Sequence, residues 1–143
     1  PKPQNPKTPK PLIIEKEAIV AMLSILYIWA DCPDHPHKVT SLDAFNNAYD
    51  FPCMYAGRML LEKDEAMFYW FFRNKDESPL TENRYLFGQG GPGYSGMCGL
   101  FEENGPLRLV KVNDKTELHS IDKSWLAIAN IIFIDNPLGV GFS

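Results

Sequence analysis

A chain of 143 residues is long enough to bury a core, and its 45% apolar and 13% aromatic content supplies the side chains for one. A net charge of −4 with no basic cluster argues against nucleic acid or an anionic membrane as the main partner. No apolar run reaches the ~20 residues that a membrane-spanning helix needs.

The opening PKPQNPKTPKP carries five prolines and three lysines in eleven residues, so residues 1–17 are expected to form a disordered segment rather than helix or central strand. Residues 18–30, AIVAMLSILYIWA, are uninterrupted and apolar, and Asp31, Cys32 and Pro33 end them. Their length fits the hydrophobic region of a signal peptide better than a membrane span; a buried helix is the alternative. DCPDHPHKV follows, with four ligand-type residues, Cys32, Asp34, His35 and His37. Its two prolines should hold it extended and keep those side chains from converging on a metal, so a surface loop beside a processing site is expected. Cys32, Cys53 and Cys98 are odd in number and widely spaced, which is no closed disulfide framework. One thiol is free, or a partner lies beyond this chain, or all three are small buried apolar groups.

FPCMYAGRMLLE and AMFYWFFRN read as neighbouring strands joined by a polar turn at Lys63, Asp64 and Glu65. The second is apolar without alternation, so both its faces should be covered, with Met67, Phe68, Trp70 and Phe71 in the core. RNKDESPLTENR is a loop. Arg84–Gln89 is a third strand, with Gly88 marking a close backbone approach. Next comes a glycine turn and a helix in which Pro92 suits the first turn and Met97, Leu100 and Phe101 mark the buried side. Gly96 and Gly99 offer a flat packing face, and Asn104, Gly105 and Pro106 form a stop. LRLVKV predicts a strand, and NDKTELHSIDK a polar excursion with His119 in solvent. IIFID predicts a buried parallel strand, closed by Pro137, with Gly139 and Gly141 turning the chain. The chain opens on Pro1 and stops soon after this strand, so it reads as part of a longer protein. The last strand is expected to leave an unpaired edge.

The glycine turn, LFGQGGPGYSGMCGLFEENGP, carries the chemistry. A strand entering a helix through glycines gathers backbone N–H groups into a concavity, and a helix N-terminus adds partial positive charge. Such a nest receives an anion, or an oxygen becoming one. Gly91, Gly93 and Gly96 satisfy G-x-G-x-x-G, yet Pro92 and Tyr94 suit pyrophosphate poorly and no acidic ribose partner follows. No Gly-Lys-Ser/Thr is present for a P-loop. An oxyanion hole for acyl transfer is the third reading.

YAGRMLLE with AMFYWFF, then GQGGPGYSGMCGLFEENGPL, then SWLAIANIIFIDNPLGVGFS resemble, in order and spacing, the N-terminal blocks of the serine carboxypeptidase family, over about Val39–Ser143. The resemblance implies an α/β-hydrolase fold, present here as an incomplete fold with only the N-terminal strands and first helix. It implies an enzyme that releases C-terminal residues from peptides through an acyl-enzyme, with no cofactor and no metal. It also implies a secreted or vacuolar/lysosomal setting without stable membrane anchoring, and admits a homodimer of the full-length protein. Gly90 and Gly91 match the family's paired glycines, the Gly91 N–H matching an oxyanion donor. Gln89 stands where the family has an asparagine amide that binds the substrate carboxylate. Glu103 matches a glutamate that shares a proton with a second glutamate beside the nucleophile, an arrangement suited to acid.

Phe87 replaces the family's tryptophan, Tyr94 a half-cystine and Leu126 an asparagine, while Cys98 lies one helical turn beyond Tyr94. The family's nucleophile sits in G-E-S-Y, followed by aspartate and histidine; none of these is in the chain, which alone is expected to be inactive. Ser95 in P-G-Y-S-G lacks both the G-x-S-x-G setting and an activating histidine. Gln89 and Tyr94 motivate a second reading, a non-catalytic carboxypeptidase-like binding protein. An acyltransferase using the same triad on another acceptor is a third.

Overall fold

Strands rich in apolar residues build a sheet that carries a hydrophobic cluster on each face. A computed structural model describes residues 32–62, 64–74, 85–88 and 93–143, with residues 85–88 described as backbone. The Pro/Lys-rich opening, the 18–30 run, the charged loop at 75–84 and the Gln89–Pro92 stretch lie outside the described residues. Strands β1 (Met54–Glu62) and β2 (Glu65–Phe72) pair antiparallel from Met54↔Phe72 to Glu62↔Glu65, so Glu65 belongs to the strand rather than the turn. Asp64 turns the chain with φ 71°.

Strand β3 (Tyr85–Gly88) is followed by a short helix, α1 (Gly96–Cys98), that widens at once into a π-type turn, Gly99–Glu103. Leu107–Val112 (β4) and Lys115–Ser120 (β5) then form an antiparallel hairpin. A single 3₁₀ turn, Trp125–Ala127, leads into β6 (Asn130–Ile134). The main sheet has the order β1-β2-β6-β3, with β6 antiparallel to β2 and parallel to β3. Two expectations are corrected here. The last strand is flanked on both sides, and β3 ends the described sheet on that side. The polar stretch after LRLVKV is not a loop but β5. Asn113 and Asp114 take φ 48° and 63°, the left-handed pair that a two-residue hairpin turn requires, and Leu118 points into the core while its polar neighbours face out.

Cross-strand register sorts the core into two layers. Met54, Phe72, Ile131 and Phe133 lie on one face, covered by Met97 and Leu100 from the helical segment, Leu107 and Leu118 from the hairpin, and Phe45. Tyr55, Tyr69, Phe71 and Ile132 lie on the other. Burial on both faces is what the unalternating aromatic run of β2 predicted. The segment after Cys32 does not stand off as an extended surface loop. It turns at Pro36, where the Lys38 N–H donates to the His35 carbonyl (2.9 Å), and pairs with the free edge of β1 through Val39 N–H to Met54 O (3.0 Å) and Ala56 N–H to His37 O (2.8 Å). A Cys32–Cys53 disulfide ties it down, and Cys98 is the free thiol among the described residues.

Candidate active site

The C-terminal ends of the parallel strands β3 and β6 meet where the chain enters and leaves the glycine turn. Gly88 is in register with Phe133, and two residues beyond Phe133 comes Asp135, a fully buried carboxylate. Its Oδ1 accepts from the Ser95 hydroxyl (2.6 Å) and the Gly96 N–H (2.8 Å). Its Oδ2 accepts from the Phe142 N–H (2.8 Å). Ser143 completes the cluster: its hydroxyl accepts from Phe68 N–H (2.7 Å) and donates to the Asp135 carbonyl (2.7 Å). A buried carboxylate is costly unless its lone pairs are used, and three donors use them here.

These bonds give Ser95 a definite role. Besides holding Asp135, its Oγ accepts from the Met97 N–H (3.1 Å), making Ser95 the N-cap of α1. The Ser95 hydroxyl is thus engaged as both donor and acceptor, and among the described residues no histidine bonds it. The helix N-terminus, expected to add partial positive charge to the nest, is engaged within the fold: the Gly96 and Met97 N–H groups bond Asp135 and Ser95, and the Asp135 carboxylate offsets the helix-end charge.

Of the residues singled out in sequence, Gln89, Gly90 and Gly91 lie outside the described residues. Glu103 ends the π-type turn with its side chain exposed. Arg108 of β4 fixes that turn, its guanidinium donating to the carbonyls of Phe101 (2.8 Å) and Glu103 (3.0 Å). The ligand-type residues near the N-terminus serve packing: the Cys32 sulfur is in the disulfide, and His37 Nδ1 lies 2.6 Å from the Tyr69 hydroxyl. Burial pushes the Tyr69 phenol up to about 12, so it keeps its proton at neutral pH. His119 is not a free loop histidine. It stacks on Tyr49 and shares Glu117 with Asn46, whose amide lies 2.7 Å from the carboxylate. Asp135 went unnoticed in sequence, although its place in F-I-D-N-P, an acid closing an apolar strand, was a usable signal.

The family model for serine carboxypeptidases matches residues 46–143. The chain belongs to the serine carboxypeptidase family. It is 40% identical to carboxypeptidase S1 of Penicillium janthinellum over 92 residues, covering 62% of this chain and 20% of that protein. It is 32% identical to serine carboxypeptidase-like 20 of Arabidopsis thaliana over 129 residues, covering 87% of this chain and 26% of that protein. Among solved structures it resembles a prohormone-processing carboxypeptidase from Saccharomyces cerevisiae with a TM-score of 0.59 and 30% identity, over 75% of this chain and 25% of that one. The chain thus spans a fifth to a quarter of these relatives' length, and its sheet is part of an α/β-hydrolase fold.

Proposed function

We propose that this chain is part of a serine carboxypeptidase that releases C-terminal residues from peptides, and that it contributes an oxyanion donor and part of the carboxylate-binding site. In this reading the Gly91 N–H, freed by the side-chain-free Gly90–Gly91 pair, faces the oxygen that gains charge when the acyl-enzyme forms. Gln89 and Glu103 receive the substrate's terminal carboxylate, Glu103 by sharing a proton with a glutamate outside this chain, which favours acidic conditions. Serine, aspartate and histidine of the triad also come from outside this chain, and the chain alone is inactive. The observation that carries the reading is positional: the glycine block follows a strand that is parallel to its neighbour, at the carboxyl ends of both, where α/β sheets place their ligands. The Cys32–Cys53 disulfide supports a secreted or vacuolar/lysosomal setting, since such bonds persist in oxidising compartments.

The test is hydrolysis of N-blocked dipeptides by the full-length protein, with an acyl-glucose ester as competing substrate. Release of the C-terminal amino acid alone supports the carboxypeptidase; turnover of the ester alone favours the acyltransferase; neither favours the binding protein that Gln89 and Tyr94 suggest. Within an active enzyme, Gln89→Asn shortens the amide by one methylene towards the family's length. It is expected to raise kcat/KM for peptides several-fold, and an unchanged or lower value removes Gln89 from the carboxylate site.

A further inference from the structure

Before it enters β1, the chain lays a short strap, residues 32–39, along that strand's outer edge. The Cys32–Cys53 disulfide fixes the start of the strap, helped by the Tyr55 hydroxyl donating to the Pro33 carbonyl (2.9 Å) and the Lys38 ammonium to the Cys32 carbonyl (2.6 Å). Val39 N–H to Met54 O and Ala56 N–H to His37 O fix its end. Two histidines flank the turn between, their ring centroids 5.2 Å apart, and they are bonded in different ways. His35 Nδ1 accepts the His37 main-chain N–H (3.0 Å), so that nitrogen carries no proton. The His37 ring lies over Gly57, where a Cβ would come 2.5 Å from its Nδ1, and the same Nδ1 pairs with the Tyr69 hydroxyl (2.6 Å). A hydroxyl both donates and accepts, so this pair survives a proton on Nδ1, with the Tyr69 oxygen then accepting. The His35 bond does not survive one, because an N–H would then face an N–H.

We infer that the strap is a proton-sensitive fastening of the β1 edge, with His35 as its sensor. Imidazoles change charge between about pH 5 and 8. The neutral ring closes the turn at Pro36. When His35 takes a second proton, the His37 N–H loses its acceptor, and the strap opens more often at Val39 and Ala56 while the disulfide keeps it attached. The groups around the two rings leave this task to His35. Tyr55 meets the His35 ring edge-on at 5.9 Å, and burial raises the phenols of both Tyr55 and Tyr69, which stay neutral over this range. Asp34 precedes His35 in sequence and accompanies it whether the strap is bound or loose, so it does not separate the two states. Lys38 on the strap, and Arg73 just beyond β2, whose charge reaches the Tyr55 phenol, disfavour a further positive charge here, as does a protonated His37.

The experiment is amide hydrogen exchange in the full-length protein at about pH 7.5 and about pH 5, each rate divided by that of an unstructured chain at the same pH. Loss of one hydrogen bond predicts that protection of the Val39 and Ala56 amides falls about 3–10-fold at the lower pH, with the amides of β6 unchanged. His35→Asn supplies an oxygen that accepts an N–H two residues on and takes up no proton. It is expected to keep both amides protected and to remove the pH response. His35→Ala, with no acceptor, is expected to be loose at both pH values. Wild-type protection that is equal at the two values overturns the proton-sensitive fastening. So does a pH response that persists in His35→Asn, or a loss shared equally by β6. If His35→Asn does not fold, the ring protons of the wild-type histidines are titrated by NMR: loss of protection in step with His35 supports the assignment, and loss in step with His37 alone overturns it.

Discussion

Gly96 has no room for a side chain. A Cβ placed there would lie 2.5 Å from the Ile134 carbonyl oxygen, a main-chain atom of a strand paired on both sides and therefore unable to retreat. Gly141 is constrained differently: its φ of 57° is left-handed, and an added Cβ would strike the Asp135 carboxylate. Gly96→Ala is expected to destabilise the full-length protein by about 1–3 kcal/mol, the usual cost of overpacking. Thermal unfolding measures it as a fall in midpoint, and an unchanged midpoint would show that α1 can shift off β6. The sequence reading anticipated the packing role of Gly96 because glycine in a helical stretch weakens the helix and asks for a reason. It did not anticipate Asp135, since nothing in a linear pattern tells a solvated acid after a strand from one that collects donors from three directions.

At the scale of elements, strands were legible wherever burial was dense. β2 and β6 announce themselves by aromatic and β-branched runs, and β1 and β4 by recurring leucine, methionine or valine. β5 did not, because only its inward-facing Leu118 is deeply buried and the rest of Lys115–Ser120 is polar or charged. Tertiary packing against Phe45 makes it a strand, and Asn113-Asp114 was the local sign of the hairpin. The contact that fastens the 44–49 segment to β5 includes a hydrogen bond from the Asn46 amide to the Glu117 carboxylate. Hydrogen bonds from His119 and then from Asn46 hold the Glu117 carboxyl below the ordinary glutamate range. A depressed carboxyl stabilises the fold at pH values above its unfolded pKa, and that contribution fades as pH falls through the folded value. Glu117→Gln is therefore expected to weaken protection of the Asn46 and Leu118 amides at neutral pH and to make little difference at an acid pH well below the ordinary glutamate range, where the folded-state carboxyl has also taken up its proton. Hydrogen exchange at the two pH values checks this. An equal effect at both would mean that the amide side chain changes packing rather than charge.

For the whole molecule, family membership was legible because four sequence blocks recur in order, and the matched region, 46–143, covers the sheet, the helical segment and the hairpin. The disulfide was not legible: three cysteines allow several pairings, and only the fold brings Cys32 to Cys53, whose Cα atoms are 5.5 Å apart. Their separation is 21 residues, and closing a loop of that size is worth about 3 kcal/mol by the chain-entropy account. Replacing both cysteines with serine should lower the stability of the full-length enzyme by about that amount, read from urea midpoints. It should spare kcat, because the bridge lies on the sheet face away from α1. A loss of kcat without a loss of stability would contradict that separation.

The guanidinium of Arg108 reaches two carbonyls that are two residues apart on the turn carrying Glu103. A planar fork engages such a pair only while their spacing holds, so it acts as a gauge as well as a clasp. The β-hairpin and the acidic end of the turn are thereby tied to one another. Any tilt of the ribbon on which Arg108 stands is passed to the place where, in our reading, the tail of a peptide would arrive.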